Sequence, residues 1–314
     1  MTRIVYMGTP DFAVPALNAL ADDGNDLVLV VTQPDRPSGR GHHLTPTPVK
    51  KTAIGRGLPV VSPDRIKEND DLIAMFRALK PDLIVVAAYG KILPKTILDI
   101  PPRGCVNIHA SLLPKYRGAA PIHRAVEAGE SVTGVTLMYM SEGMDEGDII
   151  AQKSVNVEGL NTGQVFDLLA DLGAALLLEN LEQIKDGTAP RIPQTAGAAT
   201  YAAMIRKEEA HIDFSLSADA VVNRIRAMNP SPGAFAYLDG AAVKLREAHT
   251  GAGSDVTALH EAPGTVTAVS TAGIEIISGA GSVILDVIQL PGKKPMRIRD
   301  FLLGNKLEIG TRFS

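Results

Sequence analysis

A chain of 314 residues, 45% hydrophobic and 21% charged, exceeds the size at which one core usually stops growing, so two domains are expected. It has no apolar run of the roughly 18 residues a membrane-spanning helix needs, and its net charge of −4 excludes indiscriminate nucleic-acid binding, which requires a basic surface. Its one cysteine, Cys105, excludes an internal disulfide, and the opening MTRIVYMGTP enters an apolar strand without a leader-like pattern; both point to the cytoplasm.

In chain order, RIVYMG (3–8) reads as a strand, 11–23 as a helix with apolar residues at Val14, Leu17 and Leu20, and LVLVVT (27–32) as the next strand. The turn between the first two, YMGTPDFAVPAL, holds a single glycine, Gly8, where a dinucleotide site needs G-x-G-x-x-G to bring backbone against a pyrophosphate. A nicotinamide cofactor is thereby excluded, and Gly8 with Thr9 is expected to form only a tight strand-to-helix turn.

The stretch QPDRPSGRGHHLTPTPVKK (33–51) follows, with Arg36, Arg40, Lys50 and Lys51 against Asp35 and with His42 and His43 alongside, a basic island on an acidic chain. Continuous apolar runs at 82–89 (DLIVVAAY) and 105–109 (CVNIH) fit parallel strands covered on both faces, with helix-like stretches between them. In such sheets chemistry belongs at the carboxyl ends of the strands.

Asn107 and His109 flank Ile108, so strand periodicity puts the amide and the imidazole on one face. They end a strand, and the turn-rich SLLPKYRGAAP after it can line a pocket, which makes the pair a candidate site. An imidazolium and an amide together suit an oxyanion, provided that a carboxylate charges the ring. The strand-like 133–140 runs into SEGMDEGDII, a loop offering Asp145, Glu146 and Asp148; spacing does not choose among them. Cys105, at the start of the buried strand, reads as an inert core residue, and no metal-ligand spacing occurs.

A long amphipathic helix is expected over 162–187, closing the first domain. Beyond residue 206 one helix-like segment, 217–230, precedes short strand-like runs at 234–238, 242–248, 264–269, 273–278 and 282–289, which suggests a small antiparallel OB-like barrel. Residues 206–314 carry twelve basic and twelve acidic side chains, so that half is not basic in sum; its basic cluster is KKPMRIR, 293–299.

NIHASLLPKYRGAAPIHRAV with GVTLMYMSEGMDEGDI resembles the formyltetrahydrofolate-dependent formyltransferase family, and GTPDFAVPAL, TQPDRPSGRGHHLTPTPVK, AAYGKILPK and KEEAHIDFS extend the likeness over nearly the whole chain. The resemblance implies a Rossmann-like catalytic domain with a mostly parallel sheet over 1–205 and a smaller OB-like, tRNA-binding barrel over 206–314. It implies transfer of a formyl group from the co-substrate 10-formyltetrahydrofolate to the α-amine of methionyl initiator tRNA, without a metal, by a monomer with no membrane partner.

By position, the resemblance makes Asn107, His109 and Asp145 the catalytic trio and thus selects Asp145 from the three acids. It makes Ser111, Leu112, Leu113 and Pro114, with Ala88, Tyr89, Gly90 and Ile92, the folate-binding wall. It also implies tRNA contacts by Arg36, Arg40, Lys50 and Lys51, with Arg40 the discriminating residue, and by Lys293 and Arg297. Two departures from the family pattern stand out. His42 and His43 occupy positions where relatives often carry lysines, making the loop charge sensitive to pH near neutrality. Tryptophan is absent, and NPSPGAF (229–235) stands where some relatives carry aromatics.

Overall fold

The computed structural model describes residues 2–38, 43–251 and 261–314. β1 (Arg3–Gly8), α1 (Val14–Asp22) and β2 (Asp26–Val31) form the opening β-α-β unit. The helix expected from residue 11 begins as a 3-10 turn, Asp11–Ala13, and becomes α-helical where Pro15, with no N–H to satisfy, can occupy the first turn. β3 (Arg36–Ser38) and β4 (His43–Thr45) pair antiparallel. α2 (Pro48–Gly55) then starts at Pro48 and is capped by the Thr47 hydroxyl, which accepts the Lys50 N–H at 3.1 Å.

β5 (Val60–Val61), α3 (Asp70–Leu79), β6 (Leu83–Ala87), α4 (Lys95–Leu98), β7 (Cys105–His109), β8 (Arg117–Gly118), α5 (Pro121–Glu127), β9 (Val132–Tyr139), β10 (Ile149–Asn156), α6 (Thr162–Asp186) and β11 (Tyr201–Ala202) follow. The main sheet runs β10-β9-β7-β6-β1-β2-β5. β5, β2, β1, β6 and β7 are parallel, and β9 and β10 add an antiparallel edge. From β1 the chain goes out to β2 and β5 on one side and returns to β6 and β7 on the other. The strand order therefore reverses between β1 and β6, and it is outside the carboxyl ends at such a switch point that sheets of this kind place their ligands.

α6 covers the sheet and is stopped by Gly187 at φ +75. Its mid-helix Gly173 has a packing reason, because a Cβ there would stand 2.6 Å from Cγ2 of Ile108 on β7. Glycine thus lets α6 approach the back of the strand whose front carries Asn107 and His109.

By contact, the chain divides into two compact units, one of residues 1–121, 132–156 and 166–203, the other of 122–131, 157–165 and 204–314. In the second, α7 (Ala218–Ala227) is capped by Ser217. β12 (Phe235–Leu238), β13 (Ala241–Thr250), β14 (Val266–Ser270), β15 (Gly273–Ile277), β16 (Ser282–Gln289), β17 (Met296–Arg297) and α8 (Ile298–Phe301) complete it. The antiparallel order is β12-β13-β16-β15-β14 with β17 on β16, around a core that includes Ile212, Phe214, Val221, Ile225, Leu285 and Phe313. The expected class holds, a mostly parallel α/β sheet followed by a smaller antiparallel one. Among the described residues no helix is long and apolar enough to cross a membrane.

Candidate active site

β7 hydrogen-bonds on both sides, with Asn107 level with Val86 of β6 and with Met138 of β9. Alternation turns Ile108 into the core beneath α6 and leaves Asn107 half-buried on the opposite face beside His109, which is 6% exposed. The Asn107 side chain makes no hydrogen bond to the described residues. His109 Nε2 is within hydrogen-bond distance of the Tyr116 carbonyl at 3.0 Å, and Nδ1 faces Asp145 Oδ1 at the longer, ion-pair distance of 3.6 Å. An imidazolium satisfies both acceptors and a neutral ring only one. Two donors were expected on this face; both ring nitrogens of His109 face acceptors, while the Asn107 amide has no hydrogen-bond partner among the described residues.

Of the three candidate acids, only Asp145 faces His109. Its backbone is left-handed, φ +53, and its Oδ2 accepts the Gly118 N–H at 2.8 Å. Glu146 is half-exposed with Oε1 3.8 Å from Arg117, and Asp148 contributes its carbonyl to Tyr139 N–H. Gln194 was not foreseen: its Nε2 donates to the carbonyls of Asp145 and Gly147 at 2.8 and 2.9 Å. Its Oε1 accepts from Arg117 Nε and Nη2 at 3.1 and 2.7 Å, and Arg117 is itself buried. An isolated glutamine 49 residues from the acid leaves no local pattern to find.

The SLLP segment is held from beneath. Thr136 donates to the Ser111 carbonyl at 2.7 Å and accepts the Leu113 N–H at 3.0 Å, while Gln152 donates to the Leu113 carbonyl at 2.8 Å. Ser111 is fully buried with its hydroxyl donating to the Lys115 carbonyl at 2.6 Å, and Leu113 is also buried, which leaves Leu112 and Pro114 partly open. After β6, Ala88 (φ +44), Gly90 (φ +81) and Ile92 are exposed. Tyr89 turns its ring into the core, where burial pushes its hydroxyl up to about 12, so its side chain is not presented at the surface. Thr9 Oγ1 and Gln33 Nε2 both donate to the Tyr89 carbonyl, at 3.1 and 2.8 Å.

In the basic island, Arg36 is exposed and donates to Gln33 Oε1 at 2.8 Å, and Lys51 is exposed. Lys50 is neutralised by Asp35 at 2.8 Å. Arg40 and His42 lie outside the described residues. Lys293 and Arg297 are exposed in the second unit. Cys105 is buried, with its thiol pushed up to about 12 by burial, the inert state expected of it. No group of metal-ligating side chains occurs among the described residues.

Residues 2–181 match the family described as "Formyl transferase", and 204–306 match "Formyl transferase, C-terminal domain". The chain is 46% identical to the "Methionyl-tRNA formyltransferase" of Variovorax paradoxus (strain S110), with 99% of this chain and 98% of the relative covered. It is 47% identical to the one from Moorella thermoacetica, with 98% of each covered. Among solved structures, an N-formyltransferase from Helicobacter canadensis in complex with folinic acid and dTDP-3-aminofucose shares the fold. It superposes with a TM-score of 0.66 at 17% identity, over 91% of this chain and 99% of that one. HypX from Aquifex aeolicus in complex with tetrahydrofolic acid does so at 0.60 and 18%, over 98% of this chain and 50% of that one. With both halves matched and close to half of all positions shared along almost the entire length, the chain belongs to the formyl transferase family.

Proposed function

We propose that the chain transfers the formyl group of 10-formyltetrahydrofolate to the α-amine of methionyl initiator tRNA, as a methionyl-tRNA formyltransferase. The observation that carries the chemistry is the uncommitted amide of Asn107 beside a histidine whose two ring nitrogens both face acceptors. The amine attacks the formyl carbon: the new N–C bond forms, the carbonyl electrons move to oxygen, and the C–N10 bond then breaks. One proton leaves the amine and one arrives at N10. Asn107 donates to the oxyanion, and the His109 charge, held by Asp145, favours the same negative centre. No acyl-enzyme is required, in keeping with the buried, inert Cys105.

In this reading the folate lies against Leu112 and Pro114 and against the main chain of Ala88 to Gly90, with Ile92 beside it. Ser111, Leu113 and Tyr89 serve by shaping that wall from within. Arg36, Arg40, Lys50 and Lys51 meet the tRNA from the first domain, 1–205, and Lys293 and Arg297 from the second, 206–314. The protein acts in the cytoplasm as a monomer.

A steady-state assay with labelled formyltetrahydrofolate tests the reading. Methionylated initiator tRNA is expected to be formylated far faster than the methionylated elongator or an amino-sugar nucleotide. Formylation of the amino sugar with none of the tRNA overturns it.

A further inference from the structure

Asp145 is the one member of the trio on a loop, and its backbone sits at φ +53, a left-handed region that aspartate enters more readily than most side chains but in which its direction still depends on what it bonds to. Two groups hold it. The Gly118 N–H fixes the carboxylate through Oδ2, and Gln194 fixes the main chain by donating to the carbonyls of Asp145 and, two residues on, Gly147. The orientation of the Gln194 amide is forced. Its oxygen faces two N–H groups of buried Arg117, so a flipped amide would set NH₂ against guanidinium and oxygen against two carbonyls, losing all four contacts. Arg117 in turn belongs to β8, adjacent to Gly118 in the chain. One closed circuit therefore runs from Asp145 Oδ2 to Gly118, Arg117, Gln194 and back to the Asp145 carbonyl.

We propose that Gln194 is a positioning residue for the reaction: it reads the placement of Gly118 through Arg117 and sets the Asp145 main chain to match, so that Oδ1 is presented to His109. The proposal rests on the catalytic reading of Asp145 given above. Glutamine is the side chain the place requires. Glutamate would keep Arg117 but turn an acceptor toward the two carbonyls, and an apolar side chain of equal length would satisfy neither side. A residue acting this way changes turnover and leaves the binding of either substrate intact, because it touches neither.

The test compares Gln194→Glu in the wild-type protein and in Asp145→Asn, with kcat, both KM values and the melting temperature measured for each. In the wild-type background kcat falls by about tenfold to a hundredfold, the scale of a misplaced reacting group, while both KM values stay close to the parent and the melting temperature falls only as far as two lost hydrogen bonds require. In Asp145→Asn the same substitution changes the remaining rate by less than about twofold, because the group it positions is already lost. An equal fold-loss in both backgrounds, or a rise in KM with kcat unchanged, overturns the proposal. If Gln194→Glu does not fold, Arg117→Lys is used, which weakens the grip on Gln194 Oε1; it must lower kcat only where Asp145 is present, and equal losses again overturn the inference. A failure of the underlying reading shows separately, as full activity in the Asp145→Asn parent.

Discussion

Gly118 gives its backbone N–H to Asp145 Oδ2 at 2.8 Å, and the carboxylate turns its other oxygen toward His109. A main-chain donor cannot be deleted by mutation, but it can be moved. Gly118 has φ +115, and a Cβ would stand 2.9 Å from the Ala202 carbonyl oxygen of the paired strand. Gly118→Ala is expected to cost about 1–2 kcal/mol from the left-handed backbone alone and to lower kcat as the N–H shifts. Urea denaturation and steady-state kinetics check both parts, and a variant unchanged in both removes Gly118 from the site.

Asn107→Ala removes a side-chain amide that has no hydrogen-bond partner among the described residues, on the face of β7 proposed to be catalytic. Turnover should fall by about 10²-fold or more, with folate affinity intact. Since no hydrogen bond to the described residues is broken, stability should change by less than about 0.5 kcal/mol. Kinetics beside thermal melts test the contrast; wild-type turnover would rule out the oxyanion role.

Asp35 holds Lys50 at 2.8 Å and cancels part of the basic island. Asp35→Asn releases that charge, so the KM for methionyl-tRNA should fall at low salt and the KM for folate should not move. The slope of log affinity against log salt should steepen by about one ion. A salt series in the formylation assay measures it; an unchanged slope means that Lys50 does not meet phosphate.

In the second unit the Glu209 carboxyl is held down to about 2, first by the Arg124 guanidinium at 2.8 Å and then by the Arg206 N–H at 2.9 Å. Its folded pKa lies below the ordinary 4.5, so this contribution to stability is fully present above pH 4.5 and is lost as the pH falls toward 2. Glu209→Gln should lower the melting temperature at pH 6 and flatten its decline between pH 4.5 and 2. Parallel melting curves for the two proteins across that window would disprove the assignment.

Where one signal decides the structure, the sequence announces it. β7 coincides with CVNIH because an apolar run bounded by turn residues has one reading, and α6 ends where Gly187 ends it. β10 has no clear strand signal in the sequence because it is an edge strand whose burial alternates, with Gln152, Ser154 and Asn156 interleaved, so it looks like a continuation of the acidic loop before it. The candidate site was legible in its side chains and not in what holds them. Spacing marks Asn107 and His109, but the choice of Asp145 depends on a backbone N–H 27 residues away and on a glutamine 49 residues away. Peptide groups carry no letter of their own, and a lone glutamine has no period.

Gly173 lies in the middle of a 25-residue helix, at a position that propensity alone would give to alanine. Its missing methyl group is the clearance for Ile108, and Ile108 is the residue between the two polar groups of β7. A thermostabilisation programme that replaced helix glycines with alanine would count this position as a gain of about 1 kcal/mol. It would instead drive a wedge behind the strand that carries Asn107 and His109, so the change meant to raise heat tolerance would lower it and disturb the candidate site as well.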